Sequence, residues 1–304
     1  MTAPLTARKH PTFIVRQTDP FNGGPSLAKL IDTRVTPMEH FFVRSHGTIP
    51  MVNGESFRLV VRGLPSGELS FGLSELRERF ESVEVEATLQ CAGNRRQELM
   101  AVRAIPGEVA WGSEAIGHAR WTGIRVGDLL AQGGVRAADS TQHLAMKSMD
   151  DVEREGRRFS FGGSIPLARA LDPDVILAYA MNGHDLAPEH GFPVRVVVPG
   201  HIGARSVKWV QTLTLQDGPS ANYFQVVAYR LKRADAVPPD EGMALGEFPL
   251  TSVICSPEPG ARVPAGALMT TVVTLAGSTA GPATTWSWAA TSMTISMAVT
   301  VTMS

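Results

Sequence analysis

Apolar and polar residues alternate without a break from Val83 to Cys91: Val83, Val85, Ala87, Leu89 and Cys91 interleave with Glu84, Glu86, Thr88 and Gln90. A period of two sends the first set to one face of a β-strand, so the pattern predicts a strand that delivers Cys91 at its end. Gly93 follows, where a residue without Cβ permits a sharp turn, and Asn94, Arg95 and Arg96 fall on the emerging loop. Upstream, FRLVVRG predicts a strand between Ser56 and Arg62. Ser70 followed by LSELRERF predicts a capped amphipathic helix with Leu73, Leu76 and Phe80 on one face. Downstream, the apolar run from Val175 to Met181 is closed by the hairpin signal Asn182-Gly183, Phe192 to Val198 is the next strand, and Val207, Trp209 and QTLTLQD continue the sheet. Helices are few and short, IRVGDLLAQGG being the clearest, which places the main domain in the α+β class with mixed sheets.

The first forty residues mix proline, glycine and polar positions, as in DPFNGGPS at 19–26, and predict an extended arm over 1–40, with order starting near Phe41. A catalytic domain is expected over 41–237. The break at PPDEG precedes TSVICSPEPGARVPAG, whose short strands and proline turns predict a small β-sandwich over 238–304. From Val263 onward the chain has no Asp, Glu, Lys or Arg, a composition unlike an ordinary solvated face.

Charge and cysteine content narrow the chemistry. The 28 basic and 29 acidic side chains balance to a formal charge of -1, so nothing global draws the chain to nucleic acid or to an anionic membrane, and any anion site must be local. No apolar run reaches the length of a membrane-spanning helix, and MTAPLTARKHPTF has no apolar stretch before a cleavage site, which leads us to expect a cytoplasmic protein. Cys91 and Cys255 are too few for an iron–sulfur cluster or a four-cysteine zinc site, and no Cys-x-x-Cys-His haem attachment is present. Metal chemistry would have to rest on one thiolate.

TLQCAGNRRQEL at 88–99 resembles the molybdenum-binding loop of the sulfite oxidase family. FFVRSH at 41–46, AIGHARWTGIRVGDLL at 115–130, GGSIPLARAL at 162–171 and LAYAMNGHDLAPEHGFPVRVVVPGHIGARSVKW at 177–209 look like further blocks of that family in its order. The resemblance implies a molybdenum-molybdopterin cofactor whose pterin supplies dithiolene sulfurs while Cys91 supplies another, soft donors that suit the metal. It implies that Phe42, Val43, Arg44, Ser45 and His46 line the pterin, that Asp150 or its neighbour Asp151 meets the polar ring edge, and that His190, Arg195, Ser206, Val207 and Lys208 hold the phosphate end.

For the substrate, the same resemblance implies sulfite, a small dianion held by Arg44 and Arg96, with Trp111 and Tyr229 at the family's pocket positions. Sulfite would leave as sulfate, and its electrons would pass to a separate acceptor such as a cytochrome, because no His-Pro-Gly-Gly stretch marks a haem domain. A homodimer through the C-terminal sandwich is the family's arrangement. One departure stands out: the arginine that many members contribute from that sandwich has no match in the uncharged tail. Related readings are action on nitrate, another small oxyanion or a sulfoxide, or cofactor binding without turnover.

Overall fold

The structure is a computed structural model that describes residues 8–136, 141–232, 241–249, 251–257 and 262, together with the backbone of the strands at 271–275 and 293–295. The arm carries β1 (Ile14–Gln17), β2 (Asn22–Gly24) and α1 (Leu27–Leu30). Then come β3 (Leu59–Arg62), β4 (Leu69–Phe71), α2 (Leu73–Arg79), β5 (Val83–Gln90), α3 (Arg96–Val102), β6 (Ile116–Arg125) and α4 (Val126–Gln132). The second half holds β7 (Gln142–Ser148), the hairpin β8 (Val152–Arg154) and β9 (Arg157–Phe159), β10 (Gly162–Pro166), β11 (Ile176–Met181), β12 (His184–Asp185), β13 (Arg195–Val197) and β14 (Val210–Asp217).

Two five-stranded sheets organise these elements. One has the order β10-β7-β14-β3-β4, mixed because β14 and β3 run parallel; the other has β12-β11-β6-β5, with β13 also paired to β11. Leu59, Val61, Leu144, Met146 and Leu213 of the first sheet share one buried cluster with Ile124, Leu177 and Val196 of the second. The opposite face of the second sheet is buried as well, under Phe41 and Phe42, with Ala87, Leu89, Trp121, Ile176, Ala178 and Val197. Mixed sheets with few helices agree with the α+β expectation.

The alternation at 83–91 forms β5 in full antiparallel register with β6, from Val83 opposite Gly123 to Gln90 opposite Ile116. Both faces of this sheet are covered, so Thr88 and Gln90 are buried too, and the Thr88 hydroxyl pairs with His118 Nδ1 at 2.9 Å. The β11–β12 hairpin turns at Asn182 and Gly183 with φ of 53° and 80°, the left-handed pair that a two-residue turn between twisted strands requires.

Two local expectations change. Ser70 lies inside β4, and α2 starts instead after Gly72, whose N–H donates to Glu75 Oε2 at 2.7 Å. The arm is more regular than an extended strap, because the β1–β2 hairpin fastens its Gly23 to the backbone of Val43. Phe13, Phe21 and Val43 close a small cluster beneath it.

At the C-terminal end, β15 (Arg230–Leu231) pairs with β16 (Met243–Ala244), and β17 (Thr251–Ser256), β18 (Thr271–Leu275) and β19 (Met293–Ile295) form an antiparallel sheet. The expected boundary at 237/238 and most of the uncharged tail lie outside the described residues.

Candidate active site

Cys91 is fixed by the β5–β6 ladder, which its own N–H prolongs to Ala115 O at 2.9 Å. The chain then turns, and the Gly93 N–H points back to the sulfur, 3.4 Å from Cys91 Sγ. Cys91 lines a cavity together with residues of the 41–46, 189–195 and 203–209 segments. Phe42, Arg44, Ser45, His46, Cys91, Asp150, His190, Arg195, Ser206, Val207, Lys208 and Tyr229, expected from the sequence, all line it. Gly47 allows the 41–46 segment to meet the Asp150 segment, since a Cβ there would stand 1.9 Å from Asp151 O. Asp150 lines the cavity and accepts the Phe161 N–H at 2.8 Å, whereas Asp151 is exposed and pairs with Arg158. Burial pushes the Asp150 carboxyl up.

The end of the cavity remote in sequence from Cys91 is cationic. Lys208 Nζ donates to Ser45 Oγ at 3.2 Å and to Glu189 O at 2.9 Å, and lies over the Trp209 ring. Arg195 donates to the carbonyls of His190 and Ser206 while its Nε, buried, has no partner among the described residues. Lys9 of the arm reaches His190 Nε2 at 2.9 Å. Because an ammonium only donates, His190 accepts through Nε2 and is neutral. Burial pushes Lys208 and His190 well down, Arg195 down, and Lys9 down to about 8. Cations packed this tightly away from water, with an orphaned guanidinium N–H among them, fit a phosphate-bearing anion.

A second polar centre stands beside Cys91. Arg44 donates to Ser45 O at 2.6 Å and faces His46 Nδ1 at 3.0 Å, and His46 Nε2 faces the Tyr229 hydroxyl at 2.8 Å. Burial, then Arg44, holds His46 well below its ordinary value, and burial pushes Tyr229 up. Arg96, at the start of α3, lies 3.3 Å from Glu108, to which Arg44 and Arg154 also turn.

Three expected residues are not where the sequence reading put them. Val43 turns its side chain to the arm, because its backbone is bonded to Gly23. Trp111 is wholly buried in the cluster behind the Cys91 loop and does not line the cavity, its Nε1 having no partner among the described residues. Arg96 stands by Arg44 through Glu108 rather than in the cavity wall, and its neighbour Arg95 pairs with Glu98 on the surface. Sequence reading missed Lys9, Glu108, Glu189 and Arg154. Only the basic pair Arg8-Lys9 ahead of β1 offered a signal, and nothing local tied it to His190.

The family model for the oxidoreductase molybdopterin binding domain matches residues 46–224, which hold the Cys91 loop and the whole cationic end except Lys9. The chain belongs to the sulfite oxidase family of molybdopterin-binding oxidoreductases. It is 40% identical to mitochondrial sulfite oxidase of Mus musculus over 85% of this chain and 48% of that protein. It is 41% identical to sulfite oxidase of Gallus gallus over 86% of this chain and 57% of that one. The chain thus spans about half the length of the curated relatives it matches. Among solved structures, the sulfane dehydrogenase SoxCD from Paracoccus pantotrophus superimposes with a TM-score of 0.69 at 26% identity, over 84% of this chain and 62% of that one. The family relationship gives the cavity its meaning: a thiol at one end and anion-hungry cations at the other suit a metal–pterin phosphate.

Proposed function

We propose that this chain is the molybdopterin-binding catalytic unit of a sulfite-oxidising enzyme. The observation that carries the reading is the single cavity that joins the Cys91 sulfur to the buried cations Arg195 and Lys208. Cys91 would hold the metal; His190, Arg195, Ser206 and Lys208 the phosphate; and Asp150 the polar ring edge, with Phe42, Ser45, His46 and Val207 as walls. When bound, the molybdenum-molybdopterin group supplies the oxygen-atom and two-electron chemistry that no side chain here can supply.

The chain's own residues do the rest. Arg44, with Arg96 behind it, draws the oxyanion to the Cys91 end and offsets its charge there. Neutral His46 holds the Tyr229 oxygen, which leaves the Tyr229 proton free to be donated into the cavity. The electrons pass to a separate acceptor such as a cytochrome, without a haem in this chain. We further propose that 238–304 forms an immunoglobulin-like sandwich supporting a homodimer, and that the protein works in the cytoplasm. Among the described residues no helix is long and apolar enough to cross a membrane.

The test is metal and pterin analysis of the purified protein together with reduction of an oxidised dye by sulfite and, in parallel, oxidation of a reduced dye by nitrate and by a sulfoxide. Stoichiometric molybdenum with sulfite as the preferred reductant is expected. Turnover of nitrate or a sulfoxide alone would replace the substrate. Bound pterin without any turnover would make this a cofactor-binding protein.

A further inference from the structure

Glu108 is the meeting point of three guanidinium groups. Arg96 Nη1 lies 3.3 Å and Arg44 Nη2 3.9 Å from Glu108 Oε2, and Arg154 Nη2 lies 3.6 Å from Oε1. Arg44 lines the Cys91 end of the cavity and Arg96 stands behind it, but Arg154 comes from elsewhere, the last residue of β8 before a tight turn. Glu155 and Gly156 both take positive φ there, 53° and 72°, which fixes the hairpin and so presents Arg154 from a short, stiff support. The quartet is partly buried and not on open surface, the four side chains being 12–29% exposed, and Arg44 joins it to the cavity wall. The charges of Arg154 and Arg96 both reach His46, and those of Glu108 and Arg96 both reach Tyr229.

Three cations around one anion leave an excess of positive charge. None of the three contacts is as short as a well-formed guanidinium–carboxylate bond: Arg96 Nη1 also donates to Val109 O at 3.0 Å and Arg44 Nη1 to Ser45 O at 2.6 Å, and a planar carboxylate with two oxygens cannot satisfy three planar forks at once. An oxyanion with three or more oxygens about a central atom can. We propose that Arg154 is a third oxyanion-recognition residue beside Arg44 and Arg96, and that Glu108 is an internal anion which the substrate displaces from all three. The inference rests on the oxyanion reading above, and deepens it: positive charge that the uncharged tail does not contribute comes from the β8–β9 hairpin. Glu108 then sets affinity, since each oxyanion must compete with a tethered carboxylate for the same donors.

The probe is inorganic sulfate, an unreactive dianion, titrated calorimetrically into the protein as purified at low ionic strength. Glu108→Gln is expected to tighten sulfate binding roughly tenfold, and Arg154→Gln to weaken it by about as much, with partial recovery in Arg154→Lys. Arg154→Gln should weaken binding in the Glu108→Gln background too, which separates contact with the ligand from simple pairing with Glu108. An Arg154→Gln protein whose sulfate affinity matches the parent's would overturn the inference, as would weaker binding in Glu108→Gln or the absence of saturable binding in the parent. Sulfate binding that depends on Arg154 without sulfite turnover would instead sink the assigned reaction and leave the inference standing. Sulfite turnover with a KM indifferent to Arg154 would do the reverse.

Discussion

His46 Nε2 lies 2.8 Å from the hydroxyl of Tyr229, while His46 Nδ1 faces the Arg44 guanidinium at 3.0 Å. A guanidinium can only donate, so Nδ1 accepts and the ring proton sits on Nε2, directed at the tyrosine oxygen. The tyrosine proton is thereby left for the cavity. Replacing Tyr229 with Phe removes both the acceptor and that proton. We expect turnover to fall by about 10²-fold, within the range of a lost positioned proton donor, with metal and pterin content unchanged. The orphaned His46 N–H should also cost about 1–3 kcal/mol of stability, read from denaturant melts.

The buried histidines set a pH limit. His46 and His190 are held well below their ordinary value, chiefly by burial and then by Arg44 and Lys9 respectively. Their unfolded forms therefore bind protons that the folded forms refuse. The stability they leave intact above about pH 6.5 is lost as pH falls toward the folded values, by about 1.4 kcal/mol per pH unit for each histidine. Melting the cofactor-free protein between pH 8 and pH 5 should show this decline. His46→Asn should flatten it.

Lys208 is costly to the empty protein and valuable to the loaded one. Its charge is buried among Arg195, Asp150, Glu189 and Arg44, and burial is the largest influence on it. Lys208→Met should lower pterin retention through gel filtration by at least about tenfold, the worth of a charge-assisted bond to phosphate. The melting temperature of the cofactor-free variant should not drop below the parent's.

How far the sequence reached follows from which interactions are local. The β5 alternation, the Asn182-Gly183 turn and the Cys91 loop depend on neighbours in the chain, and each could be read directly. Ser70 misled because a serine ahead of an apolar face looks like a cap, whereas its strand pairing with Val60 takes precedence and leaves Gly72 to start the helix. Lys9 and His190 are 181 residues apart, and Glu108 finds Arg154 through a hairpin from the other half of the domain. No spacing rule reports such pairs. Trp111 was assigned from block order alone, which fixes a residue's place in the chain but not the direction of its side chain.

Two glycines near the site should separate folding from affinity. A Cβ on Gly47 would meet the Asp151 carbonyl, backbone that cannot move aside, so Gly47→Ala should destabilise the protein by about 1–3 kcal/mol or more. The three atoms nearest a Cβ on Gly93 all belong to the Arg96 guanidinium, from 2.4 Å, the far end of a flexible side chain. Gly93→Ala should therefore fold normally, shift Arg96 away from Glu108, and raise the KM for sulfite several-fold. Parallel melts and steady-state kinetics on the two variants check both statements.

The Cys91 sulfur is the point from which the whole functional reading starts. The most direct measurement is molybdenum X-ray absorption on the parent and on Cys91→Ser, after both have been loaded to known pterin content. The expected result is one sulfur neighbour fewer at the metal in Cys91→Ser, with sulfite-dependent reduction of a dye acceptor abolished. An unchanged sulfur count and surviving sulfite oxidation in that variant would contradict Cys91 as the metal's ligand.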